Sequence, residues 1–297
     1  MFLPHIQKCF HHICSDRSIG DIETGASQRS DAKAFADILW YHGEPTPARE
    51  LYQWILAREE NSLGKDHPDT LSAVHGMANV LYDQGEYDEA MEWYRRALTG
   101  VEKSLGKDHP DTLTTAYCMA KVFQKQGKHD EAMEWYRRVL DARENSLGKD
   151  HPKTLSAVHG MANVLLRQGK YDEALEWFRR ALTGVEKSLD KAHPETLTTV
   201  YCMANVLYGQ GKYDEALTWY RRVLAGEERY LGKDHPKTLT TLYSMADLFR
   251  NQGKDDEALE FLRRALAGQE KSLGKGHPDT LATSQRIEEM LQKQRLG

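Results

Sequence analysis

A His-Pro step recurs at His67, His109, His151, His193, His235 and His277, each 42 residues after the one before. A fixed period of that size makes each stretch one supersecondary unit that cannot bury its apolar face alone, so successive copies must stack into a solenoid. Within residues 195–236, apolar side chains return at helical spacing twice: Leu197, Val200, Met203, Ala204 and Leu207, then Ala216, Trp219, Tyr220, Val223 and Leu224. Each unit is therefore a pair of antiparallel helices, A and B. Gln210-Gly211 ends helix A, because glycine enters the left-handed conformation that closes a helix, and Asp214 stands where it would cap helix B. The unit closes with Leu231-Gly232-Lys233-Asp234-His235-Pro236. Proline suits the first turn of the next helix A, where its missing N–H needs no partner.

With Leu197 counted as position 1, the small residue at position 8 is Ala204, and positions 20, 24 and 27 hold Ala216, Tyr220 and Val223. This pattern resembles the tetratricopeptide signature, in which small residues admit close helix approach and an aromatic fills the gap between helices. The usual tetratricopeptide period is about 34 residues. The longer unit here, with its LGKDHP ending, is similar to the repeats of kinesin light chains and to the arrays at the C-terminal end of fungal NACHT-type sensor proteins. The resemblance implies an all-α, right-handed superhelical solenoid over residues 27–297, with six helix pairs and a polar capping helix at 279–295. Residues 1–26 fall outside the repeat and read as an N-terminal arm and linker. The first pair is degenerate: residues 27–43 stand in for helix A and 48–63 for helix B, with Pro45 and Pro47 stiffening the turn between them. Five regular A helices then begin near Asp69, Asp111, Lys153, Glu195 and Lys237. SAVHGMANVL stands at 72 and again at 156, so the duplicated block spans 84 residues.

Several function classes fall away. A formal net charge of −5 gives no lysine and arginine surplus to displace counterions, which argues against nucleic acid; pairs such as Arg95-Arg96 are interleaved with carboxylates and read as a solvated face. No apolar run approaches the roughly 20 residues that span a bilayer. Cys9, Cys14, Cys118 and Cys202 show no disulfide framework, and the opening residues are no convincing signal peptide, so a cytoplasmic location is expected. Cys9, His11, His12 and Cys14 lack the spacing of structural metal sites, and no cofactor or metal is expected. GKDHPDT lacks the phosphate-cradling pattern and recurs between repeats, which suits a helix cap with His or Asp at its start better than a catalytic centre. The aromatic ladder of Trp93, Trp135, Trp177, Trp219 and Phe261 reads as core packing beside Tyr94, Tyr136, Phe178 and Tyr220.

Helix A positions 2, 5, 9 and 12 face the concave groove of a tetratricopeptide array. Here they hold Ser72, His75, Asn79 and Tyr82; Thr114, Tyr117, Lys121 and Gln124; and Ser156, His159, Asn163 and Leu166. The last two sets are Thr198, Tyr201, Asn205 and Tyr208, and Thr240, Tyr243, Asp247 and Arg250. Spacing by three and four places each set on one helix face. Asparagine both donates to and accepts from a peptide backbone, and tyrosine offers a rigid ring with a polar tip, so the expected ligand is a peptide or protein segment. The co-chaperone clamp for a C-terminal carboxylate needs lysine at position 5, where this chain has histidine or tyrosine. Kinesin light chains carry asparagine at positions 5 and 6, where it has pairs such as His75-Gly76 and Tyr117-Cys118. With histidines of near-neutral pKa, His75 and His159 are expected to make binding vary between about pH 6 and 7.5. The sequence thus reads as a non-catalytic interaction scaffold; the alternatives are the ligand-sensing part of a NACHT-type switch or a kinesin-light-chain-like cargo adaptor.

Overall fold

The computed structural model describes residues 22–296. Those residues form thirteen helices and no strand. In chain order they are α1 (Ile22–Tyr41), α2 (Pro45–Ser62), α3 (Pro68–Gln84), α4 (Tyr87–Leu105), α5 (Pro110–Lys125), α6 (His129–Leu147) and α7 (Pro152–Arg167). There follow α8 (Tyr171–Ser188), α9 (Pro194–Gly209), α10 (Tyr213–Tyr230), α11 (Pro236–Asn251), α12 (Asp255–Ser272) and α13 (Pro278–Leu296). The odd-numbered helices are the A helices and the even-numbered ones the B helices. The chain forms two compact units, Met1–Ala142 and Arg143–Gly297. Within each, a helix packs mainly on its neighbours in sequence, and A helices also touch, α1 on α3 in the first unit and α7 on α9 in the second.

The six histidines of the His-Pro steps are the N-caps of the A helices from α3 to α13. Each histidine Nδ1 accepts the backbone N–H two residues on, at 3.1 to 3.3 Å. The proline behind it occupies the first turn, where a missing N–H costs nothing. The threonine that follows ties the loop down: Thr70, Thr112 and Thr238 donate to the carbonyls of Gly64, Gly106 and Gly232 at 2.8 to 2.9 Å. At the other end Gly211, with φ 74°, closes α9 in the left-handed region, as expected. Asp214 does not cap α10. The N-cap is Lys212, without a side-chain bond, and Asp214 lies in the first turn, where its charge faces the positive end of the helix dipole.

At the degenerate end, α1 begins at Ile22, earlier than the residue 27 expected; the rest of the proposed arm, with Cys9, His11, His12 and Cys14, lies outside the described residues. Pro45 and Pro47 do not form the preceding turn. They are inside the first turn of α2, whose leading N–H groups have no intrahelical acceptor.

The core is built from signature positions. Ala78, Ala120, Ala162, Ala204 and Ala246 on A helices and Ala90, Ala132, Ala174, Ala216 and Ala258 on B helices are at most 2% exposed. Into the space they leave go Tyr52, Tyr94, Tyr136, Phe178 and Tyr220, all at most 2% exposed. Helix B approaches helix A still more closely at a glycine. A Cβ on Gly226 would lie 2.5 Å from Leu197 Cδ1, and Gly100, Gly184 and Gly268 meet Leu71, Leu155 and Leu239 in the same way.

The tryptophan ladder is not part of that core. Trp93, Trp135, Trp177 and Trp219 are half-buried. Arg96, Arg138, Arg180 and Arg222 lie over their rings at 5.2 to 5.7 Å. The same arginines reach back one repeat to a carboxylate: Arg96 to Glu60 at 2.6 Å and Arg138 to Glu102 at 2.5 Å in the first unit, Arg180 to Glu144 and Arg222 to Glu186 in the second. One arginine of each pair is thus a stitch between B helices, while Arg95, Arg137, Arg179 and Arg221 are exposed as expected of a solvated face. Replacing Tyr136 by alanine should therefore cost about 3–5 kcal/mol. Trp135→Ala should cost only about 1–2 kcal/mol, its partial burial and its cation–π contact. Urea unfolding of the two variants checks this; equal losses would return Trp135 to the core.

Candidate functional site

Positions 5 and 9 of the A helices are held by the buried aromatic of helix B. In the first unit the His75 ring stands edge-on to Tyr94, centroids 5.4 Å apart, and the Tyr94 hydroxyl donates to Asn79 Oδ1 at 2.5 Å. Tyr117 meets Tyr136 likewise at 5.6 Å. Position 9 of that helix is Lys121, so the Tyr136 hydroxyl turns to Gln124 Oε1 at 2.9 Å. In the second unit Tyr201 stands edge-on to Tyr220 at 5.7 Å, and Tyr220 donates to Asn205 Oδ1. His159 packs against Phe178 at 5.2 Å. Phenylalanine has no hydroxyl, and Asn163 accordingly swings to its own helix, its Nδ2 donating to His159 Nδ1 at 2.9 Å. The Oδ1 atoms of Asn79 and Asn205 are thus engaged by core tyrosines, which leaves their amide N–H groups for other contacts.

Other site residues meet across successive A helices. In the first unit Lys121 Nζ lies 4.5 Å from the Tyr82 ring centroid, and the Thr115 hydroxyl lies 3.2 Å from His75 Nδ1. In the second unit the Tyr201 hydroxyl is 2.8 Å from Ser244 Oγ, and Asn251 donates to the Tyr208 hydroxyl. Tyr243 donates to Gln269 Oε1 at 3.1 Å and also touches the Thr283 hydroxyl. Asp247 is shared by Arg250, at 3.2 Å, and Arg286 of α13. Ser72, Ser156, Thr198 and Thr240 are exposed and Thr114 is half-exposed, while Leu166 is half-buried.

Between a helix pair and the next helix A there are clefts that open beside these stripes. In the first unit Leu71, Ser72, His75, Ala97, Val101 and Thr115 line one of about 220 Å3. In the second, Leu239, Thr240, Tyr243, Gln269, Thr283 and Arg286 line one of about 580 Å3. The helix B residues at their base, Val101 and Gln269, are absent from the helix A pattern. Their signal in the sequence is that this position varies among near-identical repeats, with Arg143, Val185 and Glu227 as further occupants.

Burial pushes the Cys202 thiol up to about 12, which disfavours a nucleophilic thiolate. Among the described residues, no three His, Cys, Asp or Glu side chains are grouped to hold a metal, and no helix is long and apolar enough to cross a membrane.

The two histidines overturn the expectation of a pH response between 6 and 7.5. Burial lowers His159 to about 4, and burial assisted by the Lys33 charge does the same for His75, against weaker opposition from Asp111 and Asp37. Both are neutral throughout the expected window, because desolvation disfavours the imidazolium.

The family model described as tetratricopeptide repeat matches residues 29–103, 69–145, 111–187 and 195–271. Among solved structures, the chain is similar to the nearly identical TPR-like repeats of a Podosopora anserina protein assigned as a kinesin light chain. That match has 25% identity and a TM-score of 0.58, over 68% of this chain and 96% of that one. It is also similar to BtubC (BKLC) from P. vanneervenii, at 17% identity and TM-score 0.60 over 88% and 95% of the two chains. A tetratricopeptide repeat protein from Parabacteroides merdae matches at 17% identity and TM-score 0.54, over 89% and 97%. No curated protein matches the sequence.

The depressed imidazoles have a consequence for stability. Between about pH 6.5 and 4 the unfolded chain binds protons that His75 and His159 refuse when folded, so the stability they contribute is full above pH 6.5 and is lost as pH falls through that window. By pH 5 each accounts for a loss of about 2 kcal/mol. His159→Tyr, the residue found at 201 and 243, should remove one such share; urea unfolding at pH 7.5 and 5 measures it. Equal acid losses in variant and wild type would mean that His159 is solvated.

Proposed function

The chain belongs to the tetratricopeptide-repeat family, and from that membership we propose that it is a non-catalytic scaffold which binds a peptide or protein segment along the exposed faces of its A helices. Tetratricopeptide repeats generally bind proteins or peptides. The observation that carries the reading is the stripe of half-exposed tyrosine, histidine and amide side chains beside open clefts in each unit. Their rings are pre-set by packing on the buried aromatics, so a ligand meets surfaces that need little further ordering. Lys121 with Tyr82, and Tyr208 with Arg250, are the members least tied to the core, which makes them the places to test recognition without unfolding the array.

The test is affinity. Random dodecapeptides displayed on phage are selected on the purified chain, and the winners are titrated against four variants. Tyr82→Ala/Lys121→Ala and Tyr208→Ala/Arg250→Ala probe the stripes; Arg95→Ala and Arg137→Ala change exposed residues of B helices. A stripe pair should cost about tenfold or more in affinity with melting unchanged, and the helix B changes nothing. Loss confined to the helix B variants would move the site off the A helices.

A cargo-adaptor role is the second reading, favoured by the likeness to the Podosopora anserina repeats. Under it the same stripes hold a cargo segment, and the chain also associates with a kinesin heavy chain stalk. Sedimentation of purified chain with such a stalk decides it, co-sedimentation supporting the adaptor and separate boundaries removing it.

A further inference from the structure

Arginine occupies position 12 of a helix A only at Arg250 of α11, and position 6 only at Arg286 of α13. The regular repeats before α11 have Tyr82, Gln124, Leu166 and Tyr208 at the first place, and the A helices from α3 to α11 have glycine, cysteine or serine at the second. Both arginines approach one oxygen of Asp247, Oδ1: Arg250 at 3.2 Å along its own helix, and Arg286 from the next helix A. Asp247 is itself a departure. It stands where Asn79 and Asn205 accept a tyrosine hydroxyl, and the helix B residue that would supply one is the buried Leu262.

One carboxylate thus holds two guanidiniums side by side and cancels the charge of only one. A guanidinium pairs best through two parallel N–H bonds to a carboxylate, and a single oxygen shared between two arginines gives neither that geometry. Arg250 is 48% and Arg286 31% exposed, and Arg286 lines the open cleft of the second unit. Tyr208 of α9 adds a third donor. Its hydroxyl accepts from Asn251, which leaves the phenolic proton for another acceptor, and burial with the Asp247 charge raises its pKa against the opposing pull of Arg250. Of the carboxylates on α13, Asp279 lies beside the capping His277 two turns from Arg286, Glu288 is two residues away and so on another face, and Glu289 accepts from Gln285. A local surplus of positive charge therefore stands in a chain whose formal net charge is −5.

We infer that Tyr208, Arg250 and Arg286 form a site for an aspartate or glutamate side chain of the bound segment, whose carboxylate completes the pairing that Asp247 leaves half done. Two guanidiniums less one carboxylate leave one unit of positive charge, which a carboxylate matches and a phosphorylated side chain exceeds. The inference rests on the scaffold reading and adds the chemistry that the second unit selects. It differs from the co-chaperone clamp, whose lysine position holds Tyr243 here.

Two substitutions borrowed from neighbouring repeats separate the charges. Arg286→Ser installs the residue of position 244 and removes one guanidinium; Asp247→Asn installs the residue of position 205 and releases both arginines. Dodecapeptides selected on wild type are synthesised with amidated C-termini, so that only side-chain carboxylates count, and each is titrated intact and with its acidic residue changed to the amide. We expect winners to share one aspartate or glutamate, whose change costs about tenfold on wild type and nothing on Arg286→Ser. On Asp247→Asn the intact peptide should bind about threefold tighter or more, because an internal competitor is gone. The acid-to-amide ratio is read within one protein, so a general loosening of α13 does not mimic it. Winners without a shared acidic residue, an acid preference that persists on Arg286→Ser, or binding to Asp247→Asn no tighter than to wild type would each overturn the assignment. If such winners still depend on the Tyr82/Lys121 or Tyr208/Arg250 stripes, the scaffold reading survives and only the anion site falls; failure to select any peptide removes both.

Discussion

Close approach of helices is what the rest of this structure depends on. An alanine on each face brings helix A and helix B near enough for one buried aromatic to fill the remaining gap, and a glycine on helix B lets the leucine of helix A seat against backbone. Neither could be enlarged locally. A methyl group at Gly226 would require Leu197 to move, and Leu197 is itself 2% exposed. Because the same contacts recur every period, each repeat within a unit is stabilised by its own pair and by the next helix A of that unit, the one-dimensional logic expected of stacked repeats.

The aromatic that fills the gap also builds the binding face. Its ring positions the residue at position 5, and its hydroxyl fixes the amide at position 9, so core and surface share one side chain. The exception proves the coupling physical: at Phe178 the hydroxyl is missing, and Asn163 finds its partner in His159 instead. The opposite side of helix B is treated differently. There a half-buried tryptophan lies under an arginine that pairs with the carboxylate of the preceding repeat, an arrangement that adds modest, screened stitches rather than core burial.

Much of this was legible in the sequence. Period, helix count, the glycine stop and the His-Pro start all follow from backbone chemistry that acts within a few residues. Misreadings came where two local rules competed. Asp214 suits an N-cap, yet Lys212 takes that place and the carboxylate serves the dipole from inside the first turn. Pro45 and Pro47 suit a turn, and equally suit the start of a helix, which is where they are. Tryptophan and the neighbouring tyrosine are adjacent in sequence, so composition could not say which of the two faces inward; a step of one residue turns a helix by about 100°, and packing chose Tyr136 over Trp135. The site was legible only by helix A, because the spacing rule that found the stripe says nothing of the helix B residue closing the cleft beside it. For the same reason His75 and His159 passed for solvated histidines: their burial comes from a ring on another helix.

Near-identity between repeats makes the remaining differences informative. Most core positions exchange one apolar side chain for another, as at Ala97 and Val139, Leu207 and Phe249 or Tyr136 and Phe178, and the caps are almost invariant, so larger changes of character collect where neither packing nor capping dictates the residue. One such place is the helix B position held by Glu59, Val101, Arg143, Val185, Glu227 and Gln269 in turn. Glu227 and Gln269 make the same hydrogen bond to an equivalent threonine, which means the backbone there accepts charge and neutrality alike. The choice between them is therefore not forced by the fold.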